Sequence, residues 1–216
     1  MKLFTKDFLL KNRFTIISLV VIVLMFLIVQ LYHGNQNDAS TVKTGTVQTT
    51  QNSVKIGGPF EMVNQSGQKF TEQDLMGKYS LIFFGFTYCP DVCPTKLAFL
   101  ADVYDSLTPV QQKRLNMVFV SVDPERDTPR ALDTYLENFH PDIVGLTGSP
   151  EQLKAMADEY LVYYAKRENE SDPTGYLMDH SAYTYFMDPS GKYITHFKFK
   201  DNKDQVLDTI NSYLNK

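Results

Sequence analysis

The hydrophobic and polar positions of this chain divide it into three parts. Residues 14–32 form an apolar run without a charged side chain, and residues 33–55 are polar and rich in Thr, Gln and Asn. From Ile56 onward, apolar positions recur with the periodicities of strands and helices. The polar stretch has too little apolar surface to offset the entropy lost on ordering it. We therefore predict a flexible linker over residues 33–55 and one folded domain over residues 56–216.

Within the predicted domain, buried apolar runs of strand length alternate with segments of helical periodicity. The predicted order is a hairpin, a strand–helix–strand unit, a helix–strand–helix unit, a short strand near residues 161–166, a second hairpin and a last helix. Such alternation favours right-handed parallel crossovers, and hairpins add antiparallel strands. We predict an α/β fold with a mixed central sheet and helices on both faces. The main strands are predicted over residues 79–86, 116–122 and 142–148, and the helices begin at Pro94, Pro129, Pro150 and Lys203.

The apolar run over residues 14–32 has the length of a transmembrane helix. At the α-helical rise it spans about 28 Å, close to the thickness of a bilayer's hydrocarbon core. Basic side chains dominate residues 1–13, and no further Lys or Arg occurs before Lys43. The positive-inside rule then predicts a cytoplasmic N-terminus and an extracytoplasmic domain on a single-pass anchor in the cell membrane. A cleaved signal peptide is the alternative, but its apolar core is usually shorter and ends at small residues.

Charge and composition narrow the classes of partner. The formal net charge is −4, and a chain with no basic surplus is not expected to bind nucleic acid. Hydrophobic residues make up 43% and charged residues 21% of the chain, which are ordinary values for a globular protein. The candidate chemistry is therefore sought in individual side chains.

The only two cysteines of the chain, Cys89 and Cys93, lie in the segment TYCPDVCPTK between a predicted buried strand and a helix. A structural disulfide, a redox pair and a metal clamp are all compatible with them. A disulfide across so short a loop would stabilise the fold little. A helix N-terminus stabilises thiolate over thiol, which favours a functional pair. Pro94 disfavours helical angles before it, so we expect an irregular turn over Cys89–Cys93.

His180 is the candidate third ligand. It directly precedes a predicted strand over residues 181–187, and an antiparallel pairing of that strand with residues 79–86 would bring His180 to the cysteines. Two thiolates and an imidazole form a soft ligand set that suits copper. A closed zinc site would need a fourth ligand, for which Asp91 or Asp179 would be available. His33, His140 and His196 are expected to be structural or solvated.

Five segments of the domain, in this order along the chain, carry a resemblance to a known family: FGFTYCPDVCPTKL, VSVDPERDTP, VGLTGS, VYYAK and MDHSAYTYFMDPSGKY. Together they resemble the Sco (SenC) proteins, which are membrane-anchored copper-binding factors in cytochrome c oxidase assembly. The resemblance implies a thioredoxin-like fold and one copper ion, as Cu(I), Cu(II) or both, bound by Cys89, Cys93 and His180. It also implies a metallochaperone that supplies copper to the oxidase's binuclear copper site or prepares that site's cysteines. A role for Asp123 in partner interaction or transfer is implied as well.

Two alternatives stand beside these expectations. An extracytoplasmic thiol–disulfide oxidoreductase would use Cys89 as the attacking thiol and Cys93 as the resolving thiol. The C-x3-C spacing departs from the C-x2-C of thioredoxin-like redox motifs, and this chemistry leaves His180 without an essential role. For Asp123, the alternative is a purely structural proline turn that leads to the helix cap at Thr128. We expect a metallochaperone rather than an enzyme.

Overall fold

The computed structural model describes residues 21–30, 55–169 and 175–215, and the chain divides into two compact units, residues 1–51 and 52–216. In the first unit, residues 21–30 are helical and their apolar side chains are exposed. The rest of the predicted anchor and nearly all of the predicted linker lie outside the described residues. Among the described residues, no helix is both long and apolar enough to cross a membrane. The anchor over residues 14–32 stays a prediction.

The second unit has the alternation of strands and helices that the hydrophobic pattern predicts. A 3₁₀ turn over Glu72–Leu75 and a one-turn helix over Pro109–Gln112 are additions that the pattern did not indicate. The strands are β1 (Glu61–Asn64), β2 (Lys69–Thr71), β3 (Tyr79–Gly85), β4 (Leu115–Ser121), β5 (Ile143–Thr147), β6 (Tyr164–Glu168), β7 (Tyr176–His180), β8 (Thr184–Met187) and β9 (Tyr193–Phe197). The helices are α1 (Val92–Asp105), α2 (Pro109–Gln112), α3 (Pro129–Leu136), α4 (Pro150–Tyr160) and α5 (Lys203–Leu214).

Seven of these strands form one mixed sheet in the order β2-β1-β5-β4-β3-β8-β9. β3, β4 and β5 are parallel at its centre, and β1 and β8 flank them in antiparallel orientation. Every residue of β3 is buried, as expected for a central strand covered on both faces. Gly85 faces α1 and Gly145 faces α3, whereas the ring of Phe84 contacts Tyr160 of α4 on the other face. The predicted mixed sheet with helices on both faces is confirmed.

The start of α1 differs from the prediction. The helix begins at Val92 and includes Cys93 in its first turn, whereas the sequence predicted an irregular turn up to Pro94. Pro94 occupies the third helical position, where a backbone N–H has no acceptor within the helix in any case. The missing N–H therefore costs nothing there, and the helix extends two residues further back than expected.

The segment around His180 also differs from the prediction. β6 and β7 pair with each other as a separate two-stranded sheet, and His180 is the last residue of β7. The strand predicted over residues 181–187 begins at Thr184 as β8 and does pair antiparallel with β3. The short strand predicted near residues 161–166 extends to Glu168 as β6, because the pairing with β7 satisfies the backbone groups of Arg167 and Glu168.

Candidate metal centre

Both cysteines lie at the N-terminus of α1, beyond the carboxyl end of the central parallel strands, where open α/β sheets place their sites. Both are free thiols; Cys93 is fully buried and Cys89 is partly exposed. The Cys89 sulfur accepts a hydrogen bond from the backbone N–H of Cys93, with 3.3 Å between Sγ and N. Asp91, the residue at the N-cap, makes no side-chain cap. The Cys89 sulfur therefore takes over the capping of this helix.

This arrangement gives the two thiols opposite acidities. A hydrogen bond from the Cys93 side chain is the main reason that the pKa of Cys89 falls to about 4; burial opposes the shift, and His180 and the backbone N–H of Cys93 support it. The same hydrogen bond, together with burial and the charge of Cys89, raises the pKa of Cys93 far above its ordinary value. At neutral pH the pair is therefore one thiolate, Cys89, and one thiol, Cys93.

His180 meets this pair from the other side. Its Nε2 lies 3.7 Å from Cys93 Sγ, and its Nδ1 lies 3.1 Å from the carbonyl oxygen of Ser181. Because a carbonyl only accepts, Nδ1 donates in this contact, and Nε2 is the ring nitrogen that faces the sulfur. Edge-to-face contacts with Phe83 and Phe86 hold the imidazole plane. The predicted approach of His180 to the cysteines is thus present in the structure.

The distance between Cys93 Sγ and His180 Nε2 suits two ligands of one metal ion. Metal–sulfur and metal–nitrogen bonds of about 2.3 and 2.0 Å that meet at about 120° hold their donor atoms about 3.7 Å apart. The observed separation is 3.7 Å. The donor set of two sulfurs and one imidazole nitrogen is of the soft type that copper prefers. The residues present therefore fit copper in donor type, and the separation of Cys93 Sγ and His180 Nε2 suits two ligands of one metal ion.

No three His, Cys, Asp or Glu side chains in the described part of the chain converge as a complete ligand set. The centre consists of two pairwise contacts that share Cys93. The carboxylates that the sequence offered as a fourth ligand have other partners: Asp179 pairs with Arg167, and Asp91 accepts a hydrogen bond from Thr95. Asp179 also adjoins His180 on a strand, so the two side chains point to opposite faces. This arrangement favours the three-ligand interpretation.

Asp123, which the resemblance connects with partner interaction, lies in the loop after β4. Its side chain is only 1% exposed, and it accepts hydrogen bonds from Arg126 Nε and, at 2.9 Å, from the Tyr176 hydroxyl. A carboxylate with this burial and these partners does not present its oxygens to a docking protein. Any effect of Asp123 on the site passes through the side chains that it holds.

The same loop contains a second buried carboxylate, Asp127, which the sequence interpretation passed over. Asp127 accepts hydrogen bonds from the Thr87 backbone N–H at 3.0 Å, the Thr87 hydroxyl at 2.6 Å and the Ser121 hydroxyl at 2.6 Å. Burial is the main cause that raises its pKa. Asp127 thereby ties the start of the cysteine loop to β4. The signal in the sequence was the density of charge in VDPERD directly after a buried parallel strand.

Cys89 and His180 line a cleft of about 350 Å³ between the cysteine loop and the β6–β7 hairpin, and Cys93 is buried behind it. A larger cavity, of about 680 Å³, lies at the opposite end of β3, near Gly57 and Met187. We assign the site to the smaller cleft because the thiolate and the imidazole lie there. Volume by itself does not bind a metal; donor atoms do.

Comparison with known proteins identifies relatives of this chain. The SCO1/SenC family matches residues 48–215 of the chain. An SCO2-like protein of Rickettsia felis is 40% identical over 166 residues, which cover 77% of this chain and 80% of the relative.

Solved structures of copper-bound proteins share the fold. The copper-bound ScoI of Arabidopsis thaliana is 40% identical, covers 73% of this chain and 96% of its own, and superposes with a TM-score of 0.67. The copper-bound ScoI of Bradyrhizobium japonicum is 39% identical, with coverage of 73% and 99% and the same TM-score of 0.67. The fold is thus the thioredoxin-like fold that the resemblance implied, and the chain belongs to the SCO1/SenC family.

Proposed function

We propose that the chain binds one copper ion through Cys89, Cys93 and His180. We further propose that it supplies copper to the binuclear copper site of cytochrome c oxidase, or prepares that site's cysteines. The observation that carries the proposal is the contact of 3.7 Å between Cys93 Sγ and His180 Nε2, beside a Cys89 thiolate. Membership of the SCO1/SenC family and the copper bound by two solved relatives support it.

The protonation states of the thiols define what copper binding displaces. Cys89 is already a thiolate at neutral pH, so it attracts a cation without first losing a proton. Cys93 holds its proton, and the metal has to displace it to gain the second sulfur. Copper binding therefore releases one proton from the thiol pair, and the affinity falls as the pH falls.

The exposure of the ligands suggests how copper leaves. Cys93 is fully buried, whereas Cys89 is partly exposed in the cleft. An incoming thiol of the oxidase subunit would reach the copper from the Cys89 side. The ion would then be bound by ligands of both proteins at once, and each new bond to a sulfur of the oxidase subunit would replace one bond to this chain.

The anchor completes the proposal. A transmembrane helix over residues 14–32 would hold the domain on the outer side of the cell membrane, with residues 1–13 in the cytoplasm and residues 33–55 as a tether. The helical, exposed apolar residues 21–30 support this. Such an anchor would keep the copper domain beside a membrane-embedded oxidase.

The thiol–disulfide oxidoreductase has one observation in its favour, the low pKa of Cys89, which is also what a redox nucleophile needs. The contact of His180 with Cys93 separates the two functions, because disulfide exchange does not require an imidazole there. The discriminating experiment therefore changes His180.

The test is a copper titration of the reduced full-length chain and of its His180→Ala variant. We expect His180→Ala to lower the copper affinity about 100-fold or more, since removal of a ligand should exceed the 10–100-fold loss caused by outer partners. Sulfur-to-copper charge-transfer absorption should vanish in Cys89→Ser. His140→Ala is the matched control, because His140 pairs with Asp105 far from the thiols. Unchanged copper affinity in His180→Ala, with intact disulfide reductase activity, would favour the oxidoreductase.

A further inference from the structure

The β6–β7 hairpin carries His180 but is not part of the main sheet. Among the residues that the structure describes, its two strands pair only with each other, so no strand ladder there joins the histidine to β3 or β4. The position of His180 relative to the cysteines therefore depends on side-chain contacts and on the chain at the base of the hairpin. At that base, the Ser181 N–H donates to the Tyr163 carbonyl oxygen.

Arg126, in the loop after β4, makes several of these side-chain contacts. Its Nη1 donates to the Tyr176 carbonyl oxygen at 3.0 Å, and its guanidinium carbon lies 3.7 Å from the centre of the Tyr176 ring. The same guanidinium lies 4.6 Å from the centre of the Tyr88 ring, next to Cys89 in the chain. Its side chain is only 11% exposed. Arg126 thus contacts both segments that supply the metal ligands.

Asp123 holds the arginine and the hairpin at once. One of its oxygens pairs with Arg126 Nε and the other accepts the Tyr176 hydroxyl at 2.9 Å. Removal of either member of such a buried pair leaves the other charge without its partner, which is strongly destabilising. An ion pair between Glu125 of this loop and Lys166 of the hairpin is about half exposed on both sides and adds little by comparison.

We propose that Arg126, Asp123 and Tyr176 form a clasp that positions His180 for metal binding. Tyr176 and His180 are the two ends of β7, about 13 Å apart at the strand rise, so the clasp does not touch the metal. It fixes the far end of the strand, and the Phe83 and Phe86 rings fix the end that carries the imidazole. This inference deepens the proposed function and rests on it for its copper readout.

The first test needs no copper. Amide hydrogen exchange of the full-length chain is compared between the wild type and Arg126→Ala. If the alanine variant does not fold, Arg126→Lys takes its place in the comparison, because lysine keeps a cation beside Asp123. Loss of the clasp should make the amides of β6 and β7 exchange at least tenfold faster and leave those of β3 unchanged. Arg114→Ala is the matched control, since Arg114 precedes β4, at the opposite end of that strand from Arg126, and donates to the Leu214 carbonyl oxygen.

The second test uses copper itself, with Cu(I) affinity measured by competition against a chromogenic chelator. Arg126→Ala should lower the affinity about tenfold, the lower end of the range for partners that orient a ligand. Adding Arg126→Ala to His180→Ala should cause no further loss, because the clasp acts through the histidine. The nitrogen hyperfine signal of bound Cu(II) should weaken in Arg126→Ala and persist in Arg114→Ala.

Unchanged exchange in the hairpin of both Arg126 variants would overturn the clasp. An equal tenfold loss in the His180→Ala background would also overturn it, since Arg126 would then act on the cysteines through Tyr88. Failure of the proposed function has a different signature: the wild type would bind no copper through its cysteines. In that case the exchange experiment still decides whether Arg126 holds the hairpin.

Discussion

Replacing Gly85 with alanine should displace the Cys93 sulfur and weaken copper binding at the proposed metal centre. Gly85 is the last residue of β3, and its missing side chain leaves the space that Cys93 occupies. A Cβ atom there would lie 2.9 Å from Cys93 Sγ, and 2.8 and 3.3 Å from two carbons of the Phe119 ring. The first two separations are about half an ångström short of ordinary van der Waals contact. The sulfur, the ring or the strand has to move.

The magnitude follows from this overlap. An extra methyl group in a close-packed core costs about 1–3 kcal/mol, because neighbours leave their preferred rotamers. For a domain of this size, each kcal/mol lowers the melting temperature by about 2–4 °C, so we expect a fall of about 2–12 °C. Metal–ligand distances tolerate only about 0.2 Å. A sulfur displaced by about half an ångström should therefore lose at least tenfold in copper affinity.

Gly145→Ala is the matched control for this effect. A Cβ at Gly145 of β5 would lie 2.5 Å from Leu136 Cδ1 on the same face of the sheet, with no sulfur among its three nearest atoms. Thermal unfolding of the reduced, copper-free chain should show that both alanine variants are destabilised. Chelator competition should show that only Gly85→Ala binds copper more weakly. Gly85→Ala that is destabilised yet binds copper as tightly as Gly145→Ala would refute the argument that β3 sets the position of the Cys93 sulfur.

Two further predictions concern single groups near the thiols. Because the pKa of Cys89 is lowered to about 4, its reactive thiolate persists as the pH falls. Iodoacetamide should therefore alkylate Cys89 at a nearly constant rate from pH 8 to about pH 5, and the rate should fall only near pH 4. Mass spectrometry should show that the buried Cys93 stays unmodified. A rate that instead follows the ordinary thiol pKa of about 8.5 would contradict the assigned thiolate. The buried Tyr135 hydroxyl has no hydrogen-bond partner in the described part of the chain, so Tyr135→Phe should leave the free energy of unfolding within about 0.5 kcal/mol of the wild type or raise it. A loss above about 1 kcal/mol in urea unfolding would indicate a partner for that hydroxyl.

The loop after β4 joins the parts of the site. Asp127 binds Thr87 at the start of the cysteine loop, and Asp123 and Arg126 bind Tyr176 at the start of the histidine strand. The ligands come from two segments nearly ninety residues apart, and this loop contacts both. Its two buried carboxylates therefore hold both segments of the proposed metal centre in position.

The sequence by itself determined the local features of this protein. The apolar run of β3, the proline and Thr128 that begin α3, and the capping box at Ser149 all depend on interactions within a few residues. Their pattern therefore sufficed to predict the central strands, the order of the helices and the cysteines at a helix N-terminus. The approach of His180 also followed, because an antiparallel strand beside β3 brings its start to the cysteines' edge.

Only the tertiary structure decided the features that depend on distant partners. β7 exists because β6 satisfies its backbone, and no residue near His180 signals that pairing. The burial of Asp123 depends on Tyr176, more than fifty residues away, and the His180 ring is held by Phe83 and Phe86, more than ninety residues away. Periodicity and motif spacing report on neighbours along the chain. Periodicity and spacing do not show which distant side chain will bind a buried charge, and only the folded structure shows that.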